Sequence, residues 1–345
     1  MDELLKQIEK AIESSLPGNS DRAWLETTAG SACEVNDFAQ VDKFTEPGRD
    51  LLARGGKRWR PLVMVLTCRA LGGGDKAVPF SPLVELPHNG SLIIDDIEDN
   101  SVERRGKEAV HLLYGTDISI NAGNLMYFQP TYLIDRADLS PERKNLLFSG
   151  YCEDLRRLHL GQGLDIYWHN NHDRVPPVEE YLQMCRFKTG SLARMAGRFG
   201  SLLAGKSREE ALESAVIWED IGVGFQIADD IINLTTGNPG KDRGDDIVEG
   251  KKSLPVILHY QKSPQTRQEL SDCFSQARER GIKEGKASVE RAIELVDSSG
   301  SLAEARQIGI ELLESSLTRL RTLLPPCEDR DKLTGLVEGF LKKQA

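Results

Sequence analysis

Three aspartates close to residue 95 have the spacing of a metal-binding motif. Residues 92–99 read LIIDDIED, an apolar run followed by Asp95, Asp96 and Asp99. On a helix, Asp95 and Asp99 lie one turn apart on the same face, and Asp96 lies about 100° round from Asp95. Clustered carboxylates need a compensating cation, and Mg²⁺ suits them because it binds carboxylate, phosphate and water oxygens together. A solvated acidic helix end is the alternative for this motif taken alone.

A second acidic pair makes a metal site more specific. Residues 225–233 read FQIADDIIN, so Asp229 and Asp230 again follow apolar residues. We expect the two clusters, on separate helices, to face each other across a cavity, where several metal ions bridge both walls to one diphosphate. Two unrelated acidic helix faces are the alternative.

Short basic groups are candidates for binding the phosphates. Residues 55–61 read GGKRWRP, in which Lys57 and Arg60 can share one helical face. Arginine pairs with phosphate oxygens through its planar fork, whereas lysine acts as a point charge. A solvated basic turn is the alternative for such a group, and a single histidine is more often structural. The further candidates are Arg104, Arg105, Lys188, Lys241 and His88.

The spacing of apolar residues predicts helices to carry these groups. Leu4, Ile8 and Ile12 form a helical stripe, and apolar residues recur at threes and fours within residues 302–323. Alternating strand patterns are scarce, so we expect an all-α fold, with one multi-helix domain over residues 1–345. Residues 18–50 lack a clear long stripe, and we expect a loop there.

Composition and charge exclude several classes of function. The net charge is −10 and no long basic tract is present, which argues against nucleic acid as a partner. An anionic substrate therefore needs a local cluster of cations. No apolar run is long enough to predict an integral membrane segment. The six cysteines lie singly, which predicts reduced thiols and a cytoplasmic location.

Taken together, these motifs resemble those of the trans-prenyl diphosphate synthase family. The segments GGKRWRP, HNGSLIIDDIEDNSVERRG, KTG, FQIADDIIN and GKKSLP occur in the family's order, over roughly residues 50–260. The resemblance implies an isoprenoid-synthase fold with a central cavity between helices, and a homodimer. It also implies isopentenyl diphosphate and an allylic diphosphate as substrates, and Mg²⁺ as cofactor, with three ions per active site.

The resemblance assigns roles to individual residues. Metal binding is implied for Asp95, Asp96, Asp99, Asp229 and Asp230. Binding of isopentenyl diphosphate is implied for Lys57, Arg60, His88 and Arg105. Binding of the allylic diphosphate is implied for Arg104, Lys188, Lys241 and Lys251, with Thr189 and Gln226 near the reacting carbons. Ile94, Asn124 and Asn233 depart from residues common in the family, and none of these departures removes a charge required by the chemistry.

Small residues before the first motif bear on product length. Gly90 and Ser91 lie five and four residues before Asp95, about one helical turn or 5.4 Å below the metal site. Farnesyl synthases of the family commonly carry aromatics there. We therefore expect a C15 chain to pass this level.

Aromatic residues further along predict where the product chain ends. The segments LMYF at 125–128 and LHLGQGLDIYW at 158–168 resemble those of eukaryotic-type geranylgeranyl diphosphate synthases. The residues implied to close the tunnel are Tyr127, Phe128 and His159. Ordinary aromatic core packing is the alternative. We expect a C20 product, with C15 or C25 and longer chains as alternatives.

Two other functions use a similar fold. A class I terpene cyclase shares the first motif but has no need of a second diphosphate site, and FQIADDIINLTTG lacks the glutamate of the usual cyclase metal motif. A non-catalytic regulatory subunit usually loses its aspartate motifs, whereas both are present here. Both features favour the chain-extending enzyme.

Overall fold

The computed structural model describes residues 1–30, 34–171, 174–237 and 242–344. The chain divides into two compact units. The first comprises Met1–Cys152 and Met195–Leu212, and the second comprises Glu153–Arg194 and Glu213–Ala345. The single domain over residues 1–345 stays a prediction. Within the described ranges, no helix combines the length and the apolar character needed to cross a membrane.

The first unit is built from helices and one short hairpin. The hairpin pairs β1 (Glu103–Arg104) with β2 (Lys107–Glu108). The helices before residue 140 are α1 (Asp2–Ser15), α2 (Arg22–Ala29), α3 (Phe38–Ala53), α4 (Trp59–Ala70), α5 (Pro82–Glu98), α6 (Val110–Tyr114), α7 (Thr116–Phe128) and α8 (Tyr132–Arg136). Helices with residues in both units are α9 (Pro141–Asn170), α11 (Ser191–Leu203) and α12 (Arg208–Thr235).

The remaining helices belong to the second unit. They are α10 (Val178–Cys185), α13 (Asp245–Glu249), α14 (Leu254–Lys262), α15 (Arg267–Glu284), α16 (Lys286–Ser298), α17 (Ser301–Leu323) and α18 (Glu328–Gln344), with a π-helical turn at Arg186–Gly190. The stripe predicted in residues 302–323 is confirmed, because Leu302, Leu313 and Leu320 on α17 are buried. The prediction of an all-α fold is likewise confirmed.

Two glycines allow α5 and α7 to cross closely in the first unit. A Cβ atom at Gly90 would lie 2.7 Å from the carbonyl oxygen of Gly123, and one at Gly123 would lie 2.9 Å from Cδ1 of Ile94. A backbone carbonyl cannot move aside as a side chain can, so the crossing requires glycine at residue 90, whereas a side chain at residue 123 would have to displace Ile94. The crossing fixes α5, whose last turn carries the first acidic motif, against α7.

The structure overturns the expectation of a loop within residues 18–50, because α2 and most of α3 lie there. Aspartates cap both helices: Asp21 accepts a hydrogen bond from the Trp24 amide at 2.7 Å, and Asp37 accepts one from the Ala39 amide at 3.1 Å. Such caps mark helix starts without any apolar stripe. No residue of α2 is buried, which explains why apolar spacing did not predict it.

Candidate active site

The first acidic motif is joined to the hairpin by an arginine. Asp95 and Asp96 lie in the last turn of α5, and Asp99 is its C-cap. Asp96 is only 1% exposed, and its two carboxylate oxygens accept hydrogen bonds from Nε of Arg104 at 2.9 and 3.0 Å. Nη2 of Arg104 also donates to Asp96 and lies 3.6 Å from Asp95. Burial disfavours the Arg104 cation, but the hydrogen bonds and charge of Asp96 outweigh this and raise its pKa.

The second acidic motif has a similarly engaged carboxylate. Asp230 on α12 is buried, and its Oδ2 accepts hydrogen bonds from the Tyr181 hydroxyl at 2.5 Å and the Leu254 amide at 3.1 Å. Its Oδ1 accepts one from Nε2 of Gln226 at 3.0 Å. Burial raises the pKa of the Asp230 carboxyl to about 6, although these hydrogen bonds act in the opposite direction. Tyr181 is a positioning residue that the sequence motifs did not indicate.

In both motifs the second aspartate of the pair is engaged by protein groups, while the first, Asp95 or Asp229, is half-buried. Among the described residues, no three carboxylate, imidazole or thiol groups form a ready-made metal cage. Oxygen donors such as the carboxylates of Asp95 and Asp229 are the ligands that Mg²⁺ accepts, commonly one or two of them together with substrate phosphates and water. Metal binding by Asp95 and Asp99 in the first unit, and by Asp229 in the second, stays a prediction.

A lysine lies on the π-helical turn of the second unit. Nζ of Lys188 is 2.6 Å from Oδ2 of Asp165, a buried residue of α9. Burial would raise the pKa of Asp165, but the charges of Lys188 and Lys251 outweigh this and lower it. Asp165 was missed in the sequence, although it lies within the quoted segment LHLGQGLDIYW, because no partner was visible there. Lys241 lies outside the described residues.

The residue after this lysine extends the network of the second motif. Oγ1 of Thr189 donates a hydrogen bond to Oε1 of Gln226 at 2.7 Å, and Gln226 in turn donates to Asp230. The contact joins two residues predicted to lie near the reacting carbons. A π-helical turn is rare and often marks a functional segment.

A cationic cluster lies in the first unit. Arg60, in the first turn of α4, donates a hydrogen bond from Nη1 to Nε2 of His88 at 3.4 Å. Loss of hydration, followed by the charges of Arg60 and Arg105, lowers the pKa of His88 well below its usual range. His88 is therefore neutral near pH 7 and can accept from Arg60. Lys57 lies exposed in the segment that precedes α4.

The residues predicted to set product length have different surroundings. Tyr127 is 5% exposed, whereas Phe128 is 69% exposed and His159 is exposed. Ser91 is half-buried, and its hydroxyl donates to the carbonyl of His88 at 2.8 Å. Gly90 has a packing role that its small size in the sequence did not reveal, since it contacts α7. Their role in chain length stays a prediction.

Comparison with known proteins identifies the family. The family model for polyprenyl synthetases matches residues 41–295. The chain belongs to this family. It is 33% identical over 323 residues to a geranylfarnesyl diphosphate synthase of Aeropyrum pernix, covering 90% of this chain and 98% of the relative. It is 35% identical over 283 residues to a geranylgeranyl pyrophosphate synthase of Eremothecium gossypii, covering 79% of this chain and 87% of the relative.

A solved structure gives the same assignment for the fold. The geranylgeranyl pyrophosphate synthetase of Pyrococcus horikoshii is similar with a TM-score of 0.82 and 28% identity, covering 99% of this chain and 96% of that one. The resemblance drawn from the motifs is thereby confirmed, and this member of the polyprenyl synthetase family is a trans-prenyltransferase with the all-α fold of its relatives.

Proposed function

We propose that this prenyltransferase condenses isopentenyl diphosphate with an allylic diphosphate and releases geranylgeranyl diphosphate, a C20 product. The observation that carries the proposal is the cluster of Arg60, His88 and Arg105, which lies in the same unit as an aspartate motif. A cyclase or isomerase handles a single diphosphate and has no use for a second cationic site. The names of the relatives support the same chemistry.

The chain's own residues have distinct tasks in this reaction. We propose that Asp95, Asp99 and Asp229 hold Mg²⁺, three ions per active site. When bound, the metal supplies positive charge that stabilises the departing diphosphate. Lys188 and Lys251 add fixed positive charge for the same group. Because Asp96 and Asp230 are engaged by protein groups, we assign them to positioning and not to direct binding.

The cationic cluster orients the second substrate. Arg60 and Arg105 bind the diphosphate of isopentenyl diphosphate, and the neutral His88 fixes the direction of the Arg60 guanidinium. The double bond of isopentenyl diphosphate then attacks the allylic carbon, so that a C–C bond forms while the C–O bond to the departing diphosphate breaks. A proton is lost from the new chain, and the released diphosphate accepts it. Orientation of this kind accounts for a large part of enzymatic acceleration.

Incubation with labelled isopentenyl diphosphate, a C5 to C15 allylic primer and Mg²⁺ tests the proposal. We expect label in a longer prenyl diphosphate, and loss of turnover in Asp95→Ala because a carboxylate of the first motif is removed. Asp138→Ala, an exposed aspartate in a loop, is the matched control and should keep wild-type activity. A cyclic hydrocarbon without label would indicate a cyclase, and no product would indicate a regulatory subunit.

Chromatography of the same product tests its length. We propose C20 because Ser91 and Gly90 are small and because Tyr127 is buried near the end of α7. The double substitution Tyr127→Ala and Phe128→Ala should lengthen the product, whereas Phe44→Ala, an exposed aromatic on α3, should not. An unchanged C20 product in the double variant would show that these two side chains do not end the chain.

We also propose a homodimer and a cytoplasmic location. The dimer is supported by exposed apolar side chains on α6 and α7, namely Leu112, Leu113, Ile120 and Phe128. Burying such residues favours association. Light scattering should give twice the mass of one chain, and Ile120→Glu should reduce it. The location rests on single cysteines, of which Cys68 and Cys185 are buried as free thiols.

A further inference from the structure

A buried arginine lies in the sequence between Lys57 and Arg60, two residues predicted to bind isopentenyl diphosphate, without being one of the predicted binding residues itself. Arg58 stands between Lys57 and Trp59 in GGKRWRP and is only 5% exposed. Its backbone is left-handed, with φ of 47°. A bulky residue adopts that conformation only where its surroundings hold it there. The side chain must therefore be strongly fixed.

Three groups fix the Arg58 guanidinium. Nε donates to Oε1 of Glu9 at 2.7 Å, Nη1 to Oε1 of Glu85 at 2.8 Å, and Nη2 to the carbonyl of Leu52 at 2.8 Å. Glu85, on α5, is 2% exposed. The bonds attach the segment before α4 to α1, to the end of α3 and to α5. Lysine could not make these three hydrogen bonds, because its ammonium group lacks the planar fork of donors that the guanidinium provides.

Glu85 is linked through Asn89 to Arg105, the arginine at the hairpin turn. The same Oε1 accepts a hydrogen bond from Nδ2 of Asn89 at 2.9 Å, and Asn89 is fully buried one turn further along α5. Oδ1 of Asn89 accepts from Nη1 of Arg105 at 3.1 Å. Nη1 of Arg105 also donates to the carbonyls of Leu51 and Gly55. Arg105 likewise has a left-handed backbone, with φ of 55°.

The charges in this region explain why a buried carboxylate is needed. Burial lowers the pKa of Arg105, the charge of Glu85 opposes that effect, and the charges of Arg58 and Arg104 lower the pKa further. Like-charged guanidinium groups repel one another before any anion arrives. Glu85 offsets part of that repulsion from inside the unit, on the side of Arg58 and Asn89.

We propose that Arg58, Glu85 and Asn89 are positioning residues, which hold Arg105 and residues 55–57 in the geometry that binds the diphosphate of isopentenyl diphosphate. The inference rests on the proposed function and adds residues that do not themselves touch substrate. Asn89 is neither a predicted metal ligand nor a cation, so its role follows from its contacts alone. The neighbouring His88 belongs to the cluster itself.

Steady-state kinetics with each substrate varied in turn tests this inference. Asn89→Leu keeps the number and branching of the side-chain heavy atoms but removes both the donor to Glu85 and the acceptor for Arg105. We expect KM for isopentenyl diphosphate to rise about tenfold, because a misdirected guanidinium binds the diphosphate poorly. KM for the allylic diphosphate and kcat should stay within about twofold. Arg58→Lys should give the same pattern.

A matched control separates positioning from general stability. Arg49 on α3 also joins segments of the first unit, donating to the Pro17 carbonyl at 2.9 Å and to the Thr45 hydroxyl at 2.8 Å. Arg49→Lys should lower the melting temperature as Arg58→Lys does, yet leave both KM values unchanged. An equal rise of both KM values in Asn89→Leu, or none, would overturn the inference.

One further variant distinguishes this inference from the proposed function. Arg105→Ala removes a predicted substrate-binding cation and should raise KM for isopentenyl diphosphate more than Asn89→Leu does. If Arg105→Ala has the expected effect and Asn89→Leu does not, only the positioning role is wrong. If Arg105→Ala leaves KM for isopentenyl diphosphate unchanged, the proposed binding site itself is wrong.

Discussion

Substitution of one glycine should displace the lysine on the π-helical turn. Gly161 on α9 packs directly against the backbone of Lys188, which is paired with Asp165. A Cβ atom at residue 161 would lie 2.2 Å from the Lys188 amide nitrogen and 2.7 Å from its Cα. Backbone cannot rotate away as a side chain can, so Gly161→Ala must move the turn or the helix.

The size of the effect follows from these distances. Ordinary contact for a Cβ atom begins at 3.4 Å, so the Lys188 backbone must shift by about 1 Å. Overpacking of this kind costs about 1–3 kcal/mol of unfolding free energy. Alanine is the better helix former by about 0.5–1 kcal/mol, which offsets part of the cost. The midpoints of these two ranges give a net loss of about 1 kcal/mol.

Gly163→Ala is the matched control, because it lies on the same helix and a Cβ atom there meets nothing within 4 Å. It should gain about 0.5–1 kcal/mol and keep full activity. Gly161→Ala should lose about 100-fold in kcat/KM for the allylic diphosphate, since a 1 Å error in a binding group can have that effect. Urea unfolding and steady-state kinetics measure both quantities. Equal stability and activity of the two variants would refute this reasoning.

Three further predictions concern the acidic motifs. Tyr181→Phe removes the hydroxyl that donates to Asp230 and should lower the free energy of unfolding by about 1–2 kcal/mol. Urea unfolding measures this loss, and wild-type stability in the variant would contradict the prediction. Asp96→Asn weakens the pair with the partly exposed Arg104 and should cost about 1–3 kcal/mol, whereas Asp75→Asn at an exposed pair should change stability by less than about 0.5 kcal/mol. Chelation with EDTA should abolish turnover in the labelling assay and added Mg²⁺ should restore it; activity in excess EDTA would exclude the metal role.

The carboxylate motifs show which features of a site the local sequence can predict. The spacing of Asp95, Asp96 and Asp99 follows from helical geometry, so their common helix end was predictable. The different surroundings of neighbouring aspartates were not predictable, because the partner of Asp96 is an arginine eight residues away on a hairpin. The partner of Asp230 is Tyr181, which belongs to another helix. Aspartates that are adjacent in one motif therefore have different surroundings and different roles.

The sequence predicts a loop within residues 18–50, where the structure has two helices, because the local sequence signals there are weak. Residues 18–50 lack a long apolar stripe, yet α2 and α3 form there with aspartate caps, which a search for capping residues would have indicated. In the sequence, the small size of Gly90 predicts only an effect on product length. Its contact with Gly123 depends on the crossing of two helices, and no pattern in either helix alone reveals it.

The sequence by itself determined the family, the all-α class and the residue types available for chemistry, because apolar period, motif order and charge are local properties of the chain. The tertiary structure decided which of these residues are engaged by other protein groups. It alone joined Arg58 to Arg105 through Glu85 and Asn89, and Asp165 to Lys188. Hydrogen bonds and burial between distant segments set these roles, and their energies depend on distances that only folding creates.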